Sequence, residues 1–178
     1  IATSPGVRFL GNVMVGRDLG RSELQRHYHA IVYAVGAPGD RALGVPGETL
    51  DGSHAATEFV GWYNGHPDYR DRSFDLSQES VAVIGMGNVA IDVVRILART
   101  PEELHQTDIA EHALEALRHS RVRTVTMIGR RGPAQAAFTN PELKELGEMA
   151  GADIDVRAEE LVLDPATTAQ LAAAEDKS

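Results

Sequence analysis

The sequence predicts an α/β fold built on a parallel βαβ unit, and three observations carry that prediction. Residues 81–84 (VAVI) form a short continuous apolar run of the kind a buried strand makes. The glycine-rich turn Gly85-Met86-Gly87-Asn88-Val89-Ala90 follows at once and opens a helical pattern, with apolar residues at Val89, Val93, Ile96 and Leu97. A second strand reads from 122 to 128 (VRTVTMI), where apolar and polar residues alternate. Strand, glycine turn, helix and strand in that order close as a parallel unit with a helical crossover.

The remaining elements follow in chain order. Residues 7–15 (VRFLGNVMV) and 29–35 (HAIVYAV) are apolar and β-branched and read as short strands, with 22–27 (SELQRH) between them as a short helix or a loop. Residues 36–80 are dense in Pro, Gly, Asp and Ser and read as connection, with a helix at 52–64 and a domain boundary near 38–40. The helix opened by the glycine turn runs to Arg99 and is stopped by Pro101. A second helix is expected at 109–119, with Asp108 as N-cap, Glu111 completing a capping box, and Leu114 and Leu117 as its buried stripe. A third begins near Pro141 with Asn140 as cap and ends at Gly147 or Gly151. Residues 153–156 read as one more strand, and the Ala/Thr-rich tail from Pro165 reads as frayed.

Composition bounds the function. At 178 residues, 43% hydrophobic and 24% charged, the chain is ordinary soluble globular material, one domain or one domain with a piece of another. A formal charge of −9 argues against nucleic acid as a partner, because a phosphate-backbone binder carries a basic surplus. The absence of cysteine excludes a redox disulfide, a thiolate nucleophile and cysteine-ligated metal in this chain. Redox chemistry would therefore be carried by a bound cofactor. No apolar run approaches the roughly 20 residues that span a bilayer, so no membrane association is expected. No leader is visible, the first residues reading as mid-domain sequence, and the expected location is cytoplasmic.

The Gly85-x-Gly87-x-x-Ala90 turn is worth reading because it lies between a strand and a helix. In a dinucleotide-binding turn, Gly85 permits the tight bend and Gly87 lets the backbone approach a pyrophosphate. Ala90 keeps the helix close to the sheet. The pyrophosphate would lie on the free N–H groups near Asn88 and Val89, aided by the helix dipole. The competing reading is a glycine turn that merely links strand to helix. At the end of the next strand, where an NAD-binding unit places a carboxylate on the ribose, the sequence has Gly129-Arg130-Arg131-Gly132. Two guanidinium groups suit the 2′-phosphate of NADP, through charge-assisted bidentate bonds. The competing reading here is a solvated charged turn. Gly85 and Arg130 are 45 positions apart, not about 20 as in the generic fingerprint. The second helix accounts for the extra length.

These residues resemble the adrenodoxin reductase family of ferredoxin–NADP reductases, including its actinobacterial members. The resemblance runs through VIGMGNVAIDVVRIL at 83–97, TDIAEHALEALR at 107–118 and IGRRGPAQAAFTNPELKEL at 128–146, with HYHAIVYAVGAPGDRALGVPGE at 27–48 and FVGWYNGHPD at 59–68 upstream. It covers about residues 9–160. It implies a Rossmann-like NADP-binding domain within a two-dinucleotide-binding-domain flavoprotein, in which hydride passes from NADPH to FAD and electrons then pass to a ferredoxin-type iron–sulfur protein. It further implies that Asn88 and Val89 hold the pyrophosphate, that Arg130 and Arg131 hold the 2′-phosphate, and that Glu142 helps to hold NADP. Glu145, one turn on, is implied to reach the active-site region as a catalytic group. The competing reading of both glutamates is two solvated carboxylates favoured by a helix start. Lys144 between them is read either as facing a ferredoxin or as an ordinary surface lysine.

The expected organisation is then residues 1–39 as closing strands of the FAD-binding domain and linker, 40–165 as an incomplete NADP-binding domain, and 166–178 as tail. The FAD pyrophosphate turn and the family's C-terminal flavin-binding segment are missing from the pattern, so this chain alone is expected not to hold FAD well or to catalyse the full reaction. Two other functions compete: a non-catalytic NADP(H)-binding module, and an electron-transfer subunit like the small subunit of glutamate synthase. The absence of cysteine clusters and the RRGPAQAAFT run argue against the second. Among other candidates, His105, His112 and His119 read as a solvated face rather than a metal site, and Trp62 and Tyr63 as packing residues.

Overall fold

A computed structural model gives the structure of the chain and describes residues 4–36 and 39–175. Ala37 and Pro38 lie outside the described residues, and with them part of the expected boundary at 38–40. By its internal packing the chain divides into two units, Ile1–Pro38 and Gly39–Ser178.

The first unit contains one helix, α1 (Arg21–His27), with no buried residue. The strands expected at 7–15 and 29–35 are not formed: these segments carry no ladder, and the pairing among the described residues here is one isolated bridge, Val15 to Leu19. The physical reason is a missing neighbour. A strand is defined by the backbone it pairs with, and no described edge lies beside these segments. The side chains whose pattern marked them as inward-facing are open to solvent, Phe9 at 85% and Val32 at 88% exposure.

The second unit is organised around two parallel strands. Strand β1 (Ser80–Ile84) pairs with β2 (Thr124–Ile128) in a register that runs from Ser80 opposite Thr124 to Ile84 opposite Ile128. β2 begins two residues later than the expected 122–128: the Thr124 N–H makes the first bond of the ladder, to Glu79 O at 3.0 Å, and the Arg123 N–H shares that acceptor at 2.8 Å without extending the ladder. The helix expected at 52–64 forms as α2 (Ala56–Tyr63), and the crossover begins with α3 (Asn88–Ala98). Ala90, Ile91, Val93 and Val94 recur at helical spacing on the buried side of α3. They join Phe59, Trp62, Tyr63 and Val83 in the core. Trp62 and Tyr63, expected to pack, are 3% and 9% exposed. Gly61 on α2 is required by this packing, since the ring of Tyr69 occupies the space a Cβ would take. Gly61→Ala should therefore lose about 1–3 kcal/mol of stability despite its better helix propensity, measured by urea denaturation.

Pro101 does end α3, and it also starts a new helix. α4 (Pro101–Leu104) has Thr100 as N-cap and a complete capping box: Thr100 Oγ1 accepts from the Glu103 N–H at 3.3 Å, and the Glu103 carboxylate accepts from the Thr100 N–H at 2.9 Å. Next comes α5 (Glu111–Arg118), which begins after Ala110 with no side-chain cap. Asp108 is thus not the cap that its D-x-x-E spacing predicts. The helix start is set instead by a tertiary bond, the Ala110 N–H donating to Tyr63 O at 2.8 Å. Thr100→Ala should cost about 1 kcal/mol. The N–H groups of Thr100 and then Ala150 hold the Glu103 carboxyl below the ordinary glutamate value of 4.5. A lowered folded-state pKa stabilises the fold above the unfolded-state value and loses that contribution as pH falls through the folded-state value. Urea titrations should accordingly show a Glu103 contribution to stability that is lost between neutral pH and a pH below 4.5, and Glu103→Gln should remove that pH dependence.

Beyond β2 the chain forms α6 (Asn140–Leu146) and α7 (Pro165–Glu175). The strand expected at 153–156 has no pairing partner among the described residues. Where a frayed tail is expected, α7 is seeded by Asp164, whose carboxylate accepts from the Thr167 N–H at 2.9 Å and from its hydroxyl at 2.5 Å. Residues 176–178, the end of that tail, lie outside the described residues.

Candidate functional site

Because the two strands are parallel and end in register, the glycine turn and the arginine turn leave the sheet side by side at its carboxyl edge, where open α/β sheets bind ligands. Gly85 closes the first turn with φ of +139°, a conformation that L-residues avoid, and its N–H donates to Ile128 O at 2.9 Å. A Cβ on Gly85 would lie 3.7 Å from that of Ala90, so the small residue at position 90 permits the close approach of helix and turn. Gly87 differs: its φ of −116° suits any residue, and a Cβ there would point into open space. Its requirement for glycine is therefore not internal to the fold. The N–H groups of Asn88, Val89 and Ala90 meet no acceptor among the described residues, and the first turn of α3 holds no acidic residue. The helix thus presents a bare, positive N-terminal end.

The second turn is packed against the first. The side chain of Met86 fills the space over Gly129, where a Cβ would lie 2.5 Å from Met86 Cγ. The Ala137 N–H donates to Met86 O at 2.7 Å. Between these contacts, Arg130 and Arg131 are exposed, and no carboxylate among the described residues pairs with either. Two free guanidinium groups in a chain of formal charge −9 lie beside a bare helix end, an arrangement suited to a phosphorylated ligand.

The third part of the site is α6. Asn140 is not its cap; Thr139 holds that position, and no side chain caps the helix. The Thr139 N–H instead donates to Asn88 Oδ1 at 2.9 Å, which ties the start of α6 to the start of α3. Farther along, Arg95 of α3 pairs with Asp92 on its own helix and with Glu142 and Glu145 of α6. The structure therefore brings Glu142 and Glu145 together, but turned toward α3. Glu145 borders a hollow of about 330 Å³ whose wall also includes Tyr63, Asp92, Arg95 and Arg99. Burial, and then the charge of Asp92, raise the Tyr63 phenol above its ordinary pKa. Lys144 points away and lies 3.5 Å from Glu148. His112 is used structurally, with Nε2 2.9 Å from Trp62 O, while His105 and His119 stand at the C-terminal ends of α4 and α5.

Arg95, Met86 and the Asn88–Thr139 bond were not singled out by the sequence. The Asp92–Arg95 spacing of three is visible on a helix, but the partners on α6 lie 47 and 50 positions away and no local pattern announces them.

The architecture defines a class: this is an α/β unit with a parallel β1–α3–β2 arrangement whose ligand edge carries a glycine turn and an arginine turn. Comparison with known proteins narrows the class. The chain is 54% identical over 153 residues to the NADPH-ferredoxin reductase FprA of Mycobacterium leprae, which covers 86% of this chain and 34% of that protein. It is 51% identical over 159 residues to the mitochondrial NADPH:adrenodoxin oxidoreductase of Arabidopsis thaliana, covering 89% of this chain and 33% of the relative. Among solved structures, Mycobacterium tuberculosis FprA in complex with NADPH matches with a TM-score of 0.80 at 52% identity, over 90% of this chain and 35% of that one. No protein-family model matches the chain. Over its matched length the chain is similar to adrenodoxin reductase-type ferredoxin–NADP reductases, and it spans about a third of the length of the curated relatives it matches.

Proposed function

We propose that this chain is the NADP(H)-binding portion of a flavin-dependent ferredoxin–NADP reductase. In this reading, residues 1–39 are closing strands of the FAD-binding domain and linker, 40–165 are an incomplete NADP-binding domain, and 166–178 are a tail. The observation that carries the reading is the exposed pair Arg130 and Arg131, which has no carboxylate partner among the described residues, beside the open N-terminal end of α3. The pyrophosphate lies on the N–H groups of Asn88 and Val89, with Gly85, Gly87 and Ala90 shaping the turn. Arg130 and Arg131 take the 2′-phosphate, which a dianion-matched guanidinium pair separates from the plain hydroxyl of NAD. Glu142 helps to hold the nucleotide, and Glu145 acts at the nicotinamide end as the catalytic carboxylate.

When bound by the parent protein, FAD would supply the hydride acceptor and the one-electron donor to a ferredoxin-type iron–sulfur protein. No glycine-rich strand-to-helix turn lies among residues 4–36, so no flavin contact is assigned to this chain. The whole reaction belongs to a longer polypeptide, and the chain alone is inactive. Nucleic acid and membrane are not partners in this reading. The formal charge of −9 supports the first, and no helix among the described residues is long and apolar enough to cross a membrane. The activity is assigned to the cytoplasm, a placement that fractionation and immunoblotting check.

The experiment is to supply NADPH to the flavin-loaded polypeptide that contains this segment and follow flavin bleaching, then ferredoxin reduction. Bleaching by NADPH much faster than by NADH supports the reading. Bleaching at equal rates by both, or by neither, contradicts it.

A further inference from the structure

The outward face of the nucleotide turn is explained by the proposed function, but the inward-facing ion cluster behind it is not. Helix α6 is fastened to α3 at two levels. At the first level, Asn88 Oδ1 accepts from the Thr139 N–H at 2.9 Å. The second lies seven residues along α3, about 10 Å at the helical rise, where the guanidinium of Arg95 meets three carboxylates. One of its nitrogens bonds Asp92; the other bonds Glu145 and lies 3.1 Å from Glu142. Arg95 is 17% exposed, against 29% for Glu142 and 47% for Glu145, so the cation is the innermost member. Glu142 Oε2 is buried and lacks a hydrogen bond of good geometry among the described residues, which leaves the nearby guanidinium as its main compensation. Burying a carboxylate oxygen without that charge is costly.

We propose that Arg95 is a positioning residue: its guanidinium holds the Glu142 and Glu145 carboxylates, and with them α6, against α3, so that nucleotide affinity depends on a side chain that does not touch the nucleotide. The inference rests on the proposed NADP(H) site for its functional consequence. Its structural half stands alone, because a single cation among three carboxylates fixes the helix that bears two of them. Without the cation, Asp92, Glu142 and Glu145 repel one another across the α3–α6 contact.

Two readouts test it in the full chain, with Arg95→Met, Arg95→Lys, Glu142→Gln and the Arg95→Met/Glu142→Gln pair. The first is hydrogen exchange. Arg95→Met should speed exchange in α6 by about tenfold while α5, packed elsewhere, is unchanged; Arg95→Lys, which keeps the charge but loses the fork, should fall between. The second is calorimetric NADP⁺ binding. Arg95→Met should weaken it about tenfold or more, and adding Glu142→Gln should weaken it little further, because both changes remove one interaction. Unchanged exchange in α6 overturns the proposal whether or not the wild-type chain binds NADP⁺. Exchange that rises equally in α5 and α6 also overturns it, since that is general loss of fold. Wild-type chain that fails to bind NADP⁺ while α6 alone loosens in Arg95→Met would sink the proposed function and leave Arg95 as the clamp of α6.

Discussion

Replacing Arg130 and Arg131 together by alanine is expected to weaken NADP⁺ binding by about 100- to 1000-fold and to leave NAD⁺ binding nearly unchanged. Charge-assisted hydrogen bonds contribute about 1.5–3 kcal/mol each where they form, and each 1.4 kcal/mol is about a factor of ten in affinity. Both side chains are exposed, and neither is paired with a carboxylate among the described residues, so no internal contact is lost when they are cut back. The fold should be unaffected, and thermal unfolding of the double variant should match the wild type. Calorimetric titration with each nucleotide reads the selectivity. A loss shared equally by NADP⁺ and NAD⁺ would mean that the pair serves the pyrophosphate and not the 2′-phosphate. Salt offers a supporting readout: part of the wild-type NADP⁺ affinity should be lost at high ionic strength, as expected of an exposed charge pair.

Gly87→Val is expected to leave stability close to wild type and to reduce the affinity for both nucleotides by about tenfold or more, on the order of 1.4 kcal/mol or greater. The two glycines of the turn differ in what they can accept. Gly85, at φ of +139°, cannot accept a side chain without strain, so a substitution there tests folding as much as binding. Gly87, at φ of −116° with nothing within 4 Å of its would-be Cβ, can accept one. What a side chain at 87 blocks is the space in front of the bare N–H groups of Asn88 and Val89, the place assigned to the pyrophosphate. Circular dichroism and calorimetry on the same sample separate the two effects. A folded Gly87→Val chain that binds NADP⁺ as well as wild type would remove the pyrophosphate from this turn.

The features legible in the sequence are those that depend on neighbours in the chain. The strand before Gly85, the turn itself and the arginines after β2 are local patterns, and the parallel register of β1 and β2 puts them at one edge of the sheet. What the sequence did not disclose depends on distant partners. Asp108 has the spacing of a cap, yet α5 starts where the Ala110 N–H finds Tyr63 O, 47 residues upstream. Residues 7–15 and 29–35 have the composition of strands, but composition does not supply the edge they would pair with. Glu142 and Glu145 are plain helix-start carboxylates until Arg95 is found between them, and Met86 gives no sign in the sequence that its side chain lies over Gly129.

The most direct test of the central claim is a calorimetric titration of the wild-type chain with NADP⁺ and, separately, with NAD⁺ at low salt. Saturable binding of NADP⁺, with NAD⁺ at least about tenfold weaker, is the result this account predicts. Equal binding of the two nucleotides, or binding of neither by a chain that circular dichroism shows to be folded, would contradict it.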